Sequence, residues 1–154
     1  MRKQITSLLL TLAMLLSLVP AMGVTASAAD GFVEVSTYEQ LENEVKKGEA
    51  KVKLVANIDT TSENGGAGVT GQTALKFFGN DNILDLNGHT LKLVSNTGTT
   101  FINVNKDLTI KDGSTGGRID FEYGSNVIYR TTAIHVAPSA GAKLTVESGT
   151  LRST

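Results

Sequence analysis

From Thr73 onward the chain alternates apolar and polar residues in short runs, each closed by Gly, Asn, Asp or Ser. A period of two belongs to β-strands, whose successive side chains face opposite ways. The runs come in threes, and the triplet recurs. It reads TALKFF-GNDN-ILDLN-GHTLKLV from Thr73, TFINV-NKD-LTIKD-GSTGGRIDF from Thr100 and TAIHV-APSAGAK-LTVES-GTLRS from Thr132, at spacings of 27 and 32 residues. Differences in length fall in the connections, as they do in stacked repeats.

The apolar positions align between copies. On the first strand Leu75 and Phe77 match Ile102 and Val104, then Ile134 and Val136. On the second, Leu84 and Leu86 match Leu108 and Ile110, then Leu144 and Val146; on the third, Leu91 and Leu93 match Ile119 and Phe121, then Leu151. Gly88, Gly113 and Gly149 come after the second strand, where a turn is expected to need positive φ. One triplet cannot bury its apolar face alone, but stacked triplets build a continuous interior and pair each backbone with the next. The pattern predicts an all-β solenoid of three parallel sheets, with Leu86, Ile110 and Val146 in contact from layer to layer. Outward on the third strand, Lys92, Asp120 and Arg152 are expected to form an exposed column of alternating charge.

Upstream, Ser36-Thr37-Tyr38-Glu39 predicts a helix over 37–47, with Ser36 as N-cap and Glu39 completing a capping box. Tyr38, Leu41 and Val45 share one face, Glu42 and Lys46 pair on the other, and Gly48 suits a left-handed C-cap. A strand is expected over 51–58. Together these make an N-terminal cap over 30–59, joined by a Gly-rich loop (60–72) to three β-coils over 73–154. The loop contains a formal G-x-G-x-x-G at Gly66, Gly68 and Gly71. The next run, TALKFF, is a short strand and not the helix a nucleotide site needs, so the glycines read as a surface loop.

The first 28 residues stand apart. Arg2 and Lys3 precede the uncharged, Leu-rich stretch Ile5 to Val19, and Ala26-Ser27-Ala28 supplies small residues. This is the form of a secretory signal peptide cut before Ala29 or Asp30, with no membrane span left afterwards. The mature chain is then expected to be secreted, extracellular or at the cell surface. Its 12 basic and 15 acidic residues leave a net charge of −3 and no basic patch for nucleic acid. With no cysteine, stability has to come from burial and backbone pairing.

The runs ILDLNGHTL, LTIKDG and LTVESGTL, preceded by a capping helix and KVKLVANI, resemble the secreted bacterial right-handed parallel β-helix proteins of the pectate-lyase-like superfamily, in its adhesin-like, non-catalytic branch. The resemblance covers about residues 34 to 154. It implies a right-handed parallel β-helix with three strands per coil and a short capping helix. Such proteins have many coils and a terminal cap, whereas this chain stops inside its third copy, so a truncated chain is expected. Its uncapped last coil is expected to self-associate.

The superfamily includes polysaccharide lyases and hydrolases, which need clustered carboxylates with a base, or paired acids. Asp81, Asp85, Asp107, Asp112 and Asp120, with Arg118 and Arg130, are the available groups. Asp107 and Asp112 read as turn residues, and Asp85 as a lone outward acid aligned with Thr109 and Thr145. The sequence therefore nominates no catalytic residue, no metal ligand and no cofactor. His89 lies in a turn without a second histidine. Lys76, Asn103 and His135 align outward on the first strand; the plain reading is a solvated face, the functional one a row that meets an extended glycan. Phe101, Tyr129 and Tyr123 are the rings expected to stack on sugars. The resulting expectation is a non-catalytic extracellular module of a surface or adhesin-like protein, with extracellular or cell-wall polysaccharide as partner. The alternative is the N-terminal part of a secreted polysaccharide lyase or glycoside hydrolase whose active site lies in further coils.

Overall fold

A computed structural model of the chain describes residues 30–63, 73–95, 100–124, 131–138 and 141–154. The expected signal peptide (1–28), most of the Gly-rich loop with the Gly66, Gly68 and Gly71 of its motif, Tyr129 and Arg130 lie outside the described residues. The alternating runs fold as strands throughout. In chain order these are β1 (Val33–Val35), helix α1 (Tyr38–Lys46), β2 (Lys51–Leu54), β3 (Ile58–Asp59) and the single helical turn α2 (Thr60–Glu63). The first copy is β4 (Thr73–Phe77), β5 (Asn82–Asp85) and β6 (Thr90–Ser95), and the second is β7 (Thr100–Val104), β8 (Asp107–Lys111) and β9 (Arg118–Tyr123). The third is β10 (Thr132–Val136), β11 (Lys143–Val146) and β12 (Thr150–Ser153).

Three parallel sheets result, ordered β1-β2-β5-β8-β11, β4-β7-β10 and β3-β6-β9-β12. Each copy adds one strand to each sheet, so the sequence repeat becomes a stack of layers. The register of the first and third strands matches the aligned leucines: Leu75, Ile102 and Ile134 are partners, as are Leu91, Ile119 and Leu151. Side chains of one parity from all three sheets meet in a single core that includes Val52, Leu54, Ile58, Phe77, Leu93 and Ile110. Helix α1 packs against β4, and its buried face is Tyr38, Leu41 and Val45. Among the described residues no helix is long and apolar enough to cross a membrane.

The structure corrects five local expectations. The N-cap is Thr37, one residue later than Ser36; its hydroxyl accepts from the Gln40 amide at 3.2 Å. Gln40 reaches back to the Ser36 amide at 2.9 Å, so it does the work assigned to Glu39. The strand expected over 51–58 is broken into β2 and β3, because the chain turns there from one sheet to the next. The loop expected from residue 60 opens with α2, whose buried Thr60 accepts the Val94 amide at 3.0 Å through its hydroxyl.

The fourth correction is the register of the second strand in the first copy. Leu84, and not Leu86, stands beside Ile110, and Asn82 stands beside Leu108. The interior column is therefore Val52, Leu84, Ile110 and Val146. Asn82 takes the inward position that would have held an aliphatic residue, and it is buried. Its amide oxygen accepts from the Ala50 N–H at 2.9 Å, and its amide nitrogen donates to the carbonyls of Gly79 and Asp107, the latter at 2.8 Å. Leu86 instead fills the corner between sheets. A Cβ at Gly149 would come within 2.9 Å of its side chain, and Gly149 also has φ +92. Gly113, by contrast, does not have the positive φ expected of it; in its turn that conformation belongs to Gly116.

Candidate functional site

Because β4, β7 and β10 share one register, Lys76, Asn103 and His135 are direct neighbours on the outer face of the three-stranded sheet. Parallel strands place such residues about 4.8 Å apart. His135 Nδ1 lies 3.3 Å from Asn103 Oδ1 and donates to it when it carries the proton. Lys76 and His135 are exposed and Asn103 half-buried. Two residues beyond Lys76, on the same outward parity, the Phe78 ring is 54% exposed.

Sequence reasoning passes over that ring. Phe77 and Phe78 are adjacent, and in a strand with period two only one of them can enter the core, which is the signal that could have found it. Of the rings expected from the sequence, Tyr129 lies outside the described residues, and Phe101 and Tyr123 do not serve. Phe101 is fully buried and packs on Phe121 and Tyr123, each with ring centroids at 5.6 Å. Tyr123 is partly buried and is thereby packed against the core.

Three of the candidate acids, Asp85, Asp112 and Asp120, are held by the architecture. Asp85 is not a lone outward acid: it is buried, stands beside Lys111 and not Thr109, and lies 3.5 Å from that ammonium. Its carboxylate also accepts the amides of Asn87 (3.0 Å) and Gly113 (2.7 Å). Asp112 accepts the amides of Gly88 (2.6 Å), Gly117 (2.8 Å) and Ser114 (3.3 Å), while its own N–H donates to Ser148 Oγ at 2.7 Å. Several of these bonds run between copies, so the two carboxylates tie successive turns together. Among the described residues no three His, Cys, Asp or Glu side chains gather as metal ligands would.

Burial pushes the Asp112 carboxyl up, but the three amides and the nearby His89 outweigh it and hold the group below the usual carboxylate value. A depressed folded value means that this stabilisation is present above pH 3.8 and is lost as the pH falls through the lower folded value. Asp112→Asn is therefore expected to narrow the stability difference between neutral pH and roughly pH 2, measured by urea unfolding. An unchanged difference would show that the amides do not bind the charged form preferentially.

Two outer columns carry alternating charge. On one sheet Lys92, Asp120 and Arg152 are in register as expected, and Asp59 extends the column by one strand. The expected exposure is wrong for one member: Asp120 is only 3% exposed. Arg152 grips it with two bonds, Nε to Oδ1 at 3.0 Å and Nη2 to Oδ2 at 3.1 Å, and Arg118 Nε adds a third at 3.0 Å. Lys92 turns aside to Glu122 (3.1 Å) and Asp59 (3.5 Å). The second column, Glu34, Lys53, Asp85 and Lys111, extends to Glu147, whose N–H donates to the Ile110 carbonyl at 2.9 Å. The two-residue register difference in the second strand hides this column from the sequence. Between its lysines lies Phe32, with Lys53 Nζ 5.2 Å and Lys111 Nζ 4.6 Å from the ring centroid.

No known family model, curated protein or solved structure matches this chain.

Proposed function

We propose that the chain is a right-handed parallel β-helix of the pectate-lyase-like kind, exported by its N-terminal signal, and a non-catalytic module of a surface or adhesin-like protein. It binds extracellular or cell-wall polysaccharide through Lys76, Asn103 and His135. The observation that carries this reading is the register that puts the three polar side chains in one outward row. An extended glycan offers hydroxyls at regular intervals, and a row of donors and acceptors at strand spacing meets several of them at once. The exposed Phe78 ring beside the row gives a sugar's C–H face a surface to stack on. The non-catalytic part is supported by Asp85, Asp112 and Asp120, each committed to backbone amides, lysine or arginine. The right-handed winding accords with the near-universal hand of parallel strand crossovers.

Binding is tested with a neutral probe, xylan, and an acidic one, polygalacturonate. The expected result is saturable binding of at least one, weakened about tenfold or more in Lys76→Ala/Asn103→Ala/His135→Ala with unfolding unchanged. Retention of neither probe, or release of soluble fragments from either, would overturn the reading.

A further inference from the structure

We infer, resting on the polysaccharide reading of the row, that His135 makes its binding pH-dependent and admits a carboxylate-bearing glycan once the ring is doubly protonated. His135 Nδ1 lies 3.3 Å from Asn103 Oδ1 and can only donate there, because a carbonyl oxygen has no proton to give. The bond therefore keeps the proton of the neutral ring on Nδ1. Nε2, which has no partner among the described residues, is left as a bare acceptor on an exposed side chain.

In that state Nε2 suits the hydroxyl of a neutral sugar and repels a carboxylate. A second proton, which imidazole takes up between about pH 8 and pH 5, goes onto Nε2. The bond to Asn103 persists in both states, so nothing in the row has to move. Only the open nitrogen changes, from acceptor to charged donor.

The surroundings leave the new charge for a ligand. β4, β7 and β10 contain no Asp or Glu. Just past the strand ends Phe78, Asn105 and Ala137 are uncharged. Lys106 and Lys143 follow at the corner with the next sheet, where Asp107 stands beside Lys143. The other two outer faces do carry acids, and Asp85 and Asp120 there each have a cation of their own. Lysine keeps its charge over the same pH range, so protonation turns a row with one cation into a row with two. Lys76 and His135 lie two strand spacings apart, roughly 10 Å. An extended glycan with carboxylates at intervals meets both charges, whereas a neutral glycan gains nothing from the second.

The test measures binding of polygalacturonate and of xylan to the full chain between about pH 8 and pH 5 at constant ionic strength, a range in which uronate carboxylates stay ionised. Polygalacturonate is expected to bind about threefold or more tighter as the pH falls, and xylan to change by less than about twofold. His135→Gln is expected to remove the pH dependence, and His135→Arg to hold the tight affinity at both ends of the range. The chain's other histidine, His89, sits near Asp112 in a turn, so His89→Gln is expected to leave the pH dependence intact. Urea unfolding at both pH values checks that each variant is folded. Polygalacturonate binding that fails to tighten as the pH falls, or that tightens as much in His135→Gln, would overturn this inference while leaving the row as a glycan site. Binding of xylan alone would do the same. Binding of neither probe would overturn both.

Discussion

Ile110→Asp is expected to leave the chain unfolded. Ile110 is fully buried in the middle copy, with Leu84 of one layer on one side and Val146 of the next on the other. Nothing cationic enters this interior column, so the new carboxylate would be unpaired or would have to take up a proton. Either course costs several kcal/mol, on top of the lost aliphatic packing. A domain of this size has a net stability of only about 5 to 15 kcal/mol. The neighbouring outward residue provides the control: Thr109→Asp is expected to change stability by less than about 1 kcal/mol. Circular dichroism and urea unfolding of the two variants check this. A cooperative transition in Ile110→Asp would contradict the assignment of Ile110 to the core.

The second largest effect is expected at Asp120. A column of exposed charges contributes about 0 to 1 kcal/mol per pair, and on that basis Asp120→Lys would be a mild change. Asp120 is instead enclosed, and both of its oxygens are occupied by guanidinium groups. A lysine there would place a covered cation against Arg118 and Arg152. The cost is expected to be about 2 to 3 kcal/mol, less than the roughly 3 to 5 of a fully buried pair because both arginines remain half in water. Adding Lys92→Glu and Arg152→Glu is expected to recover only part, since Arg118 persists and Lys92 does not contact Asp120. Urea midpoints of the single and triple variants measure this. A cost below about 1 kcal/mol for Asp120→Lys would mean that the carboxylate is not held as described.

Much of this architecture is legible in the sequence because the layers of one repeat share their apolar spacing. Leu75, Ile102 and Ile134, and Leu91, Ile119 and Leu151, keep their register because the strands carrying them begin alike. The second strand misleads for a physical reason. The first copy has three apolar residues, Ile83, Leu84 and Leu86, around Asp85, and matching Leu84 and Leu86 to Leu108 and Ile110 puts it two residues out. The turns absorb that difference: the second copy spends Ser114 to Gly117 on a longer connection, and Leu86 moves into the corner it leaves. A shift of two preserves which face is inside, so the core composition survives the error and the outer charge column does not. The aromatic rings fail similarly. Parity alone sends Phe101 outward, but it sits where two sheets meet, beside Phe121 and Tyr123, and no period of two encodes a corner.

The candidate row is legible because it depends only on the first strand. The central claim, that this row is a glycan-binding face, is tested most directly by backbone amide shifts during titration with polygalacturonate and, separately, with xylan. The account predicts saturable changes with at least one of them, centred on Lys76, Phe78, Asn103 and His135 and absent at Asp112 and Asp120. Changes centred on Asp112 or Asp120, or no saturable change with either probe, would contradict it.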